Sequence, residues 1–317
     1  MMQRRRVILD GDPGVDDAVA WVLALALDAE LEVMGLSTVA GNVDAELTAR
    51  NACVIREIAG IPTLPVFRGE ARPLVRTPIK AGHFHGASGL GDLAFSPPRG
   101  VIETRSAVEF LIETLEKASA QSITLVVTGP ATNIARALAA KPALSRAVRE
   151  IALMGGARSE GGNITASAEY NFFADPHAAQ AILHAGVPVH VFGLDVTHQI
   201  RSTPTRIARI RDIGSRAALA VAALLEYSSA LPGNGPREHG APLHDPCPIA
   251  WLVAPSLFEF RPAHMNVECD SPLTIGHSAV EFRTGPARAP NVQWAVRADA
   301  EGFFALLERA LRATAAR

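Results

Sequence analysis

Short segments rich in Val, Ile and Leu alternate with longer apolar or amphipathic segments along the first two thirds of the chain. The short segments are typical of buried strands, and the longer ones are typical of helices. The predicted strands cover residues 6–9, 31–38, 123–127, 151–154 and 187–192. The predicted helices cover residues 18–27, 45–59, 106–118, 131–139, 205–213, 215–228, 249–253 and 301–313. This alternation predicts an α/β fold with an open, mostly parallel, Rossmann-like central sheet and helices on both faces.

Two regions carry a weaker signal. Residues 62–100 are rich in Pro and Gly and lack periodicity, which predicts a long loop that is either a lid or binding loop or a solvated connection. The pattern of residues 258–296 predicts strands and turns and carries little chemical signal. The sequence contains no internal repeat, low-complexity segment or clear linker, so we predict a single domain over residues 1–317.

Composition and charge narrow the classes of function. The 317 residues are 48% hydrophobic, which is enough for a sizeable core. The formal net charge of −2 provides no basic surface for nucleic acid. Three cysteines without paired spacing indicate neither a disulfide framework nor a thiolate metal site. The apolar segments are too short for a signal peptide or a membrane span, so we predict a cytoplasmic protein.

The strongest chemical signal lies between the first predicted strand and the first predicted helix. Asp10, Asp12, Asp16 and Asp17 place four carboxylates within eight residues. Open α/β sheets bind ligands at this edge, outside the carboxyl ends of the strands. Clustered carboxylates repel one another, and a hard divalent cation would neutralise them. The alternative is that Asp16 and Asp17 only cap the helix, but capping does not require four acids.

Asp245 is a candidate metal ligand from a distant part of the chain. It opens a predicted helix, so by itself it would be interpreted as an N-cap. However, it directly follows His244, and a cation held by Asp12 and Asp17 needs further ligands from elsewhere. Oxygen ligands favour calcium or magnesium over zinc or copper, and the sequence does not choose between the first two.

A second polar cluster follows the predicted strand at residues 151–154. Asn163, Glu169 and Asn171 provide amide and carboxylate groups, which offer both donors and acceptors. Such a set suits a ligand dense in hydroxyls, for example a sugar. The alternative is a turn-rich loop whose Asn side chains bond their own backbone.

Two histidines complete a hypothesis about the reaction. A water made more acidic by a bound cation is a nucleophile at neutral pH, and Asp12 could accept its proton. His85 or His244 could protonate a leaving group, although a lone histidine is usually structural. The residues by themselves therefore indicate a metal-assisted hydrolase that acts on a hydroxyl-rich small molecule.

A series of motifs in this chain resembles the nucleoside hydrolases, especially the inosine–uridine-preferring group, over most of its length. In order, the motifs are Asp10-Gly11-Asp12-Pro13-Gly14-Val15-Asp16-Asp17-Ala18, Gly41-Asn42, His85-Gly86, Thr128-Gly129-Pro130-Ala131-Thr132-Asn133, Met154-Gly155-Gly156, Gly162-Asn163 to Asn171, Asp195-Val196-Thr197-His198 and His244-Asp245-Pro246. The resemblance implies a nucleoside hydrolase-like fold and hydrolysis of the N-glycosidic bond of a ribonucleoside such as inosine or uridine. The products would be ribose and a free base, with a role in nucleoside salvage.

The same resemblance implies a catalytic metal site. Calcium would be held by Asp12, Asp17, the backbone carbonyl of Thr128, and Asp245. Asp12 would also be the general base for the attacking water, and His244 would be the acid for the departing base. A histidine at position 244 resembles the inosine–uridine group rather than the purine-specific group, which has an aromatic residue there.

The resemblance also implies the binding residues. His85 would contact the base, and Met154 would line the sugar pocket. The ribose hydroxyls would be bound by Asp16, Asn42, Asn163, Glu169 and Asn171. We expect a homodimer or homotetramer that binds a small-molecule nucleoside and neither nucleic acid nor a membrane. Two departures from the family pattern, Ala166 for Pro and Tyr170 for Phe, remove no proposed ligand.

Two other functions stay open at the level of the sequence. Asp10 and Asp12 after a first strand resemble the magnesium-dependent aspartyl-nucleophile phosphatases, but Pro13-Gly14 stands where that family has a small hydrophobic residue and Thr. A nucleoside-binding protein that has lost catalysis is the third class, and the retained Asp12 and His244 argue against it. The base-side loop, residues 227–240, matches the family least clearly, so the sequence leaves the preferred base open.

Overall fold

Strands and helices alternate in the computed structural model, which describes residues 4–316 apart from 80, 81, 92, 233–235, 284 and 287. The strands are β1 (Arg5–Gly11), β2 (Leu31–Thr38), β3 (Val66–Arg68), β4 (Ile123–Val127), β5 (Val148–Met154), β6 (Val189–Phe192), β7 (Arg201–Ser202), β8 (Ala241–Pro242), β9 (Phe258–Val267), β10 (Ser278–Glu281) and β11 (Val292–Ala298). The α-helices are α1 (Val15–Ala26), α2 (Ala45–Ile58), α3 (Gly82–His85), α4 (Ala107–Lys117), α5 (Thr132–Ala140), α6 (Tyr170–Ala174), α7 (Pro176–Leu183), α8 (Leu194–Thr197), α9 (Pro204–Arg211), α10 (Arg216–Ala230), α11 (Pro246–Val253) and α12 (Ala300–Ala313). Short 3₁₀ helices cover Pro142–Ala147, Arg237–His239, Pro255–Leu257 and Thr314–Ala316.

A mixed sheet with strand order β10-β9-β11-β6-β5-β4-β1-β2-β3 forms the centre of the structure. The seven neighbouring strands β11, β6, β5, β4, β1, β2 and β3 pair in parallel. At the other edge, β9 is antiparallel to both β11 and β10. The prediction of an open, mostly parallel sheet is therefore confirmed. The antiparallel pairs need no crossover helix, which explains why residues 258–296 show no helical periodicity.

Helices cover both faces of the sheet and form two apolar layers. The helices α1, α2, α10, α11 and α12 contribute to one layer. The helices α4, α5 and α7 contribute to the other. The helix α1 is apolar on nearly all sides because α2, α10, α11 and α12 pack around it, and Trp21 and Leu23 are completely buried.

The boundaries predicted for β2 and β4 match the structure, whereas residues 62–100 depart from the prediction. This region is not one uninterrupted loop, because β3 pairs with β2 at the sheet edge and α3 ends at His85. A strand of three residues is too short to show periodicity. The predicted base-side loop includes the end of α10, and its residues 233–235 lie outside the described part of the chain. No helix in the described ranges is both long and apolar enough to cross a lipid bilayer.

The carboxyl ends of the central parallel strands meet at one edge of the sheet, which positions the site. Gly11 ends β1, Val127 ends β4 and Met154 ends β5, and these strands are direct neighbours. The chain segments that follow these strand ends carry most of the predicted site residues. These segments lie close together because the loops that follow parallel strands leave the sheet at the same edge.

Candidate active site

Asp12 lies in the loop between β1 and α1, where two other segments of the chain, at residues 41–42 and at Gly129, approach its carboxylate. Its Oδ2 accepts a hydrogen bond of 2.7 Å from the backbone N–H of Asn42. Its Oδ1 is buried and has no hydrogen-bond partner among the described residues. A Cβ on Gly41 or Gly129 would collide with this carboxylate, so only glycine lets both segments approach it.

Asp17, in the first turn of α1, connects the ends of β1, β2 and β4. Its Oδ1 accepts a hydrogen bond of 2.7 Å from the hydroxyl of Thr128. Its Oδ2 accepts from the backbone N–H of Gly14 at 3.1 Å and from Asn42 Nδ2 at 3.2 Å. The capping role considered for Asp17 is therefore present, but it involves only one of the two carboxylate oxygens.

Asp245 joins the acids of the first loop from a position far along the sequence. Carboxylate oxygens of Asp16, Asp17 and Asp245 lie within 4.8 Å of one another. Asp245 occupies the N-cap position of α11, but its side chain makes no capping hydrogen bond. This geometry favours a ligand role for Asp245 over simple capping. It also adds Asp16, predicted as a ribose ligand, to the acidic cluster.

The raised pKa values of these acids indicate that the residues described by the structure do not by themselves compensate their negative charge. Burial, followed by the charge of Asp17, raises the pKa of Asp12 well above its usual range. Burial and the charge of Asp16 raise the pKa of Asp17 to about 7. Burial and the neighbouring aspartates also raise the pKa of Asp245. Together with the unpartnered Asp12 Oδ1, this all-oxygen set fits a hard divalent cation such as calcium.

Glu169 and Asn171 form the opposite side of the site, where β5 is followed by α6. The Glu169 carboxylate accepts hydrogen bonds from the backbone N–H groups of Gly156, Asn171 and Phe172 at 2.8–3.2 Å. Burial nevertheless raises its pKa to about 7. Asn171 Nδ2 donates to the carbonyls of Thr128 at 2.9 Å and Met154 at 3.3 Å. These bonds fix the orientation of both side chains before any ligand binds.

The two predicted histidines are held by different partners. His85 Nδ1 accepts a hydrogen bond of 3.1 Å from the backbone N–H of Val15, so a neutral ring carries its proton on Nε2. His244 Nδ1 lies 2.7 Å from the hydroxyl oxygen of Thr197. Burial lowers the pKa of His244 to about 4, so its ring is neutral at neutral pH.

A cavity of about 540 Å³ brings most of the predicted residues together, a size that suits a small-molecule ligand. Predicted residues in its lining are Asp16, Asn42, His85, Thr128, Met154, Asn163, Glu169, Asn171, His244 and Asp245. Asp12 and Asp17 are connected to it through their hydrogen bonds to Asn42 and Thr128. Asn163 is exposed, and its side-chain oxygen accepts from the backbone N–H of Tyr170.

Several lining residues escaped prediction. Phe84, His198 and Arg201 also line the cavity. His198 Nδ1 lies 2.9 Å from Glu160 Oε2, and its ring centroid lies 5.7 Å from that of His244. The position of His198 and Arg201 in the sequence could have indicated them, because both follow β6 at the same sheet edge as the predicted residues. Phe84 was the aromatic neighbour of a histidine already singled out.

Comparison with solved structures places this architecture among ribonucleoside hydrolases. A purine-preferring ribonucleoside hydrolase from Gardnerella vaginalis aligns with a TM-score of 0.90 and 32% identity, over 99% of this chain and 100% of that chain. The fold and the site thus define a ribonucleoside N-glycosyl hydrolase. The chain belongs to the inosine-uridine preferring nucleoside hydrolase family, whose model matches residues 7–305.

Individual relatives cover nearly the whole chain. The pyrimidine-specific ribonucleoside hydrolase RihA of Salmonella paratyphi B is 40% identical over 96% of this chain and 98% of its own length. The inosine-uridine preferring nucleoside hydrolase of Crithidia fasciculata is 35% identical over 97% of each chain. These matches confirm the family resemblance of the motifs. They favour a ribonucleoside hydrolase over the phosphatase and the binding protein considered as alternatives.

We predict that calcium stabilises the protein more strongly as the pH rises. The raised pKa values of Asp17 and Glu169, each about 7, mean that the folded state binds protons that the unfolded state has already released. In EGTA, their contribution to the free energy of unfolding is therefore complete below about pH 4 and is lost as the pH rises to about 7. A calcium ion held by Asp17 would require the ionised carboxylate, so a stabilising effect of calcium should increase over the same interval.

Thermal unfolding in EGTA and in calcium, at several pH values between 4.5 and 7.5, measures this effect. At one fixed calcium concentration, about 100 times the Kd at pH 7.5, we expect calcium to raise Tm by about 5 °C at pH 7.5 and by less at pH 4.5. A difference between the two conditions that stays constant with pH would contradict this account.

Proposed function

We propose that this enzyme hydrolyses the N-glycosidic bond of inosine, uridine or a related ribonucleoside in a calcium-dependent reaction. The observation that carries the proposal is that the acids Asp16 and Asp245 line the same cavity as Asn42, Glu169 and Asn171. A cation at the acids and a pentose at the amide and carboxylate groups would therefore be neighbours. The products are ribose and the free base.

Asp12, Asp17, Asp245 and the backbone carbonyl of Thr128 would hold the calcium ion. When bound, calcium supplies positive charge that offsets the carboxylates and makes a neighbouring water more acidic. Thr128 suits this role because its hydroxyl is already engaged by Asp17, and its carbonyl has a second lone pair beside the bond from Asn171.

Asp12 is the proposed general base. Its Oδ2 is fixed by the backbone of Asn42, while its Oδ1 has no partner among the described residues and is available to accept a proton. The water attacks the anomeric carbon as the bond to the base breaks, and Asp12 takes the proton that the water loses. A carboxylate in this position also favours the positive charge that develops on the sugar in glycoside hydrolysis.

The ribose hydroxyls would be bound by Asp16, Asn42, Asn163, Glu169 and Asn171, beside Met154. Glu169 is held by three backbone N–H groups, so it can accept hydrogen bonds from the sugar without reorientation. On the base side, His85 would contact the base and His244 would be the acid for its departure. Because His244 is neutral, its N–H assists the departure by donating a hydrogen bond to the base anion. The released base then takes a proton from the solvent, and Asp12 returns to the solvent the proton that it took from the water.

A substrate panel tests the proposed function. Purified enzyme is incubated with inosine, uridine, cytidine, adenosine and guanosine in EGTA, in calcium and in magnesium, and the reducing sugar released is measured. We expect release of ribose from inosine or uridine in calcium and little release in EGTA. Equal rates in EGTA and in calcium would contradict the calcium requirement, and no ribose release from any nucleoside would contradict the proposed substrates.

The names of the relatives differ in the base that they mention, so the substrate panel also measures which base this enzyme prefers. One relative is described as pyrimidine-specific, one as inosine-uridine preferring and one as purine-preferring. The homodimer or homotetramer and the cytoplasmic location stay predictions from the sequence.

We predict that Asn163→Ala weakens substrate binding more than it slows the chemical step. One hydrogen bond to a ribose hydroxyl is worth about 1 kcal/mol, so KM should rise by about 3- to 10-fold while kcat changes by less. Asn266→Ala is the matched control, because Asn266 bonds Gln180 and lies in β9, away from the cavity lining. An unchanged KM for Asn163→Ala would remove this residue from the sugar site.

A further inference from the structure

Thr197 is a completely buried residue beside the active site that the proposed mechanism does not use. It is the last residue of α8, the short helix that follows β6. Its hydroxyl oxygen lies 2.7 Å from His244 Nδ1, across 47 positions of sequence. A buried hydroxyl costs free energy unless it is hydrogen-bonded, so this contact explains how a polar side chain is tolerated here.

The backbone of Thr197 is already satisfied by local bonds. Its N–H donates to the carbonyl of Gly193 at 3.1 Å, and its carbonyl accepts from the N–H of Ile200 at 3.1 Å. The side-chain hydroxyl is therefore not needed to complete the helix end. It faces an imidazole that lines the ligand cavity, next to Asp245.

The hydrogen bond to Nδ1 determines which nitrogen His244 presents to the cavity. A hydroxyl that donates to Nδ1 leaves the proton of a neutral ring on Nε2, the nitrogen on the other side of the ring. His85 has the same arrangement, because its Nδ1 accepts from the backbone N–H of Val15. In His244, Nδ1 is thus occupied by the hydroxyl of Thr197, and Nε2 is the nitrogen that can face a ligand.

We propose that Thr197 is a positioning residue that donates its hydroxyl hydrogen bond to His244 Nδ1 and thereby fixes the His244 Nε2–H towards the departing base. The inference rests on the proposed function, since it needs a base to depart. It extends that function to a residue outside the predicted site. Without the hydroxyl, the ring can rotate and can carry its proton on Nδ1, so that fewer molecules present a donor to the base.

Leaving-group dependence tests the proposal. Thr197→Val removes the hydroxyl with little change of shape, and Thr197→Ser keeps the hydroxyl. We expect Thr197→Val to lower kcat on inosine or uridine by about 10- to 100-fold, the usual effect of losing an orienting partner, with little change in KM. A ribofuranoside of p-nitrophenol needs no proton on its leaving group, so its kcat should change by less than about threefold. Thr197→Ser should restore most of the activity on nucleosides.

Thr132→Val is the matched control. Thr132 is also a buried threonine, and its hydroxyl donates to Asp175 at 2.7 Å, outside the cavity lining. It should lower thermal stability without distinguishing the two kinds of substrate. Equal losses on nucleosides and on the nitrophenyl substrate for Thr197→Val, or no loss at all, would overturn the proposal.

A spectroscopic measurement on the unmodified chain keeps the proposal testable if Thr197→Val does not fold. In protein labelled with ¹⁵N-histidine, the His244 signals are assigned by comparison with His244→Ala. We expect a protonated Nε2 and an unprotonated Nδ1, and a protonated Nδ1 would overturn the proposal. If the wild-type chain releases no ribose from any nucleoside, the proposed function fails while this tautomer measurement still stands, so the two failures are distinguishable.

Discussion

Replacing Asp12 by Asn is expected to lower kcat by about 10³- to 10⁴-fold while the fold is retained, because an amide cannot accept the proton of the attacking water. The amide has the shape of the carboxylate, and the backbone N–H of Asn42 can still donate to its oxygen. The loss should be the same on nucleosides and on the nitrophenyl riboside, since both need an activated water. This equal loss distinguishes a base from a residue that assists the leaving group.

Because Asp12 is also a proposed calcium ligand, the measurement must separate the two roles. Rates are compared at saturating calcium, and calcium affinity is measured in parallel by calorimetry. Asp28→Asn, a surface substitution of the same kind, is the control for the change in charge. A rate near that of the wild type at saturating calcium would exclude Asp12 as the base, whereas recovery of the rate only at high calcium would assign it a purely ligating role.

Replacing His244 by Ala is expected to lower kcat on inosine or uridine by about 10²-fold or more, with a much smaller effect on the nitrophenyl riboside. The reason is that the imidazole N–H compensates the charge on a poor leaving group, and nitrophenolate needs no such compensation. The substitution removes a ring that lines the cavity and leaves the acids untouched. Together, Asp12→Asn and His244→Ala therefore distinguish the attack of water from the departure of the base.

Two controls make the His244 result specific. His184→Ala removes a histidine from the surface, where it contacts Asn266, and should leave both rates unchanged. The ratio of the two rates is compared with that of Thr197→Val, which should change in the same direction by a smaller factor. If His244→Ala reduced both substrates equally, the residue would be a binding or structural group and not the acid for the base.

The parallel sheet could be predicted from the sequence because its strands are short, continuous apolar segments separated by helices. The strands β2 and β4 and the buried helix α1 follow from local composition alone. The edge strand β3 has only three residues, and the antiparallel strands β9 and β10 carry an irregular pattern of buried and exposed residues, so their pairing required the tertiary structure.

Much of the candidate site could also be predicted, since the acids and amides stand directly after predicted strands. The distant Asp245 and the two histidines were also candidates from the residues alone, and the family motifs added Asn42, the carbonyl of Thr128 and Met154. What could not be predicted was which side chains meet. The sequence does not show that Asp16 lies with Asp17 and Asp245, or that the Asp245 side chain makes no capping hydrogen bond.

The sequence by itself determined the alternation of strand and helix and the class of chemistry, because apolar periodicity and clustered carboxylates are local properties of the chain. The tertiary structure decided the partners of each functional group, such as Thr197 for His244 and Val15 for His85. These contacts join residues 47 and 70 positions apart and depend on side-chain direction and on the order of strands in the sheet, which no local pattern encodes.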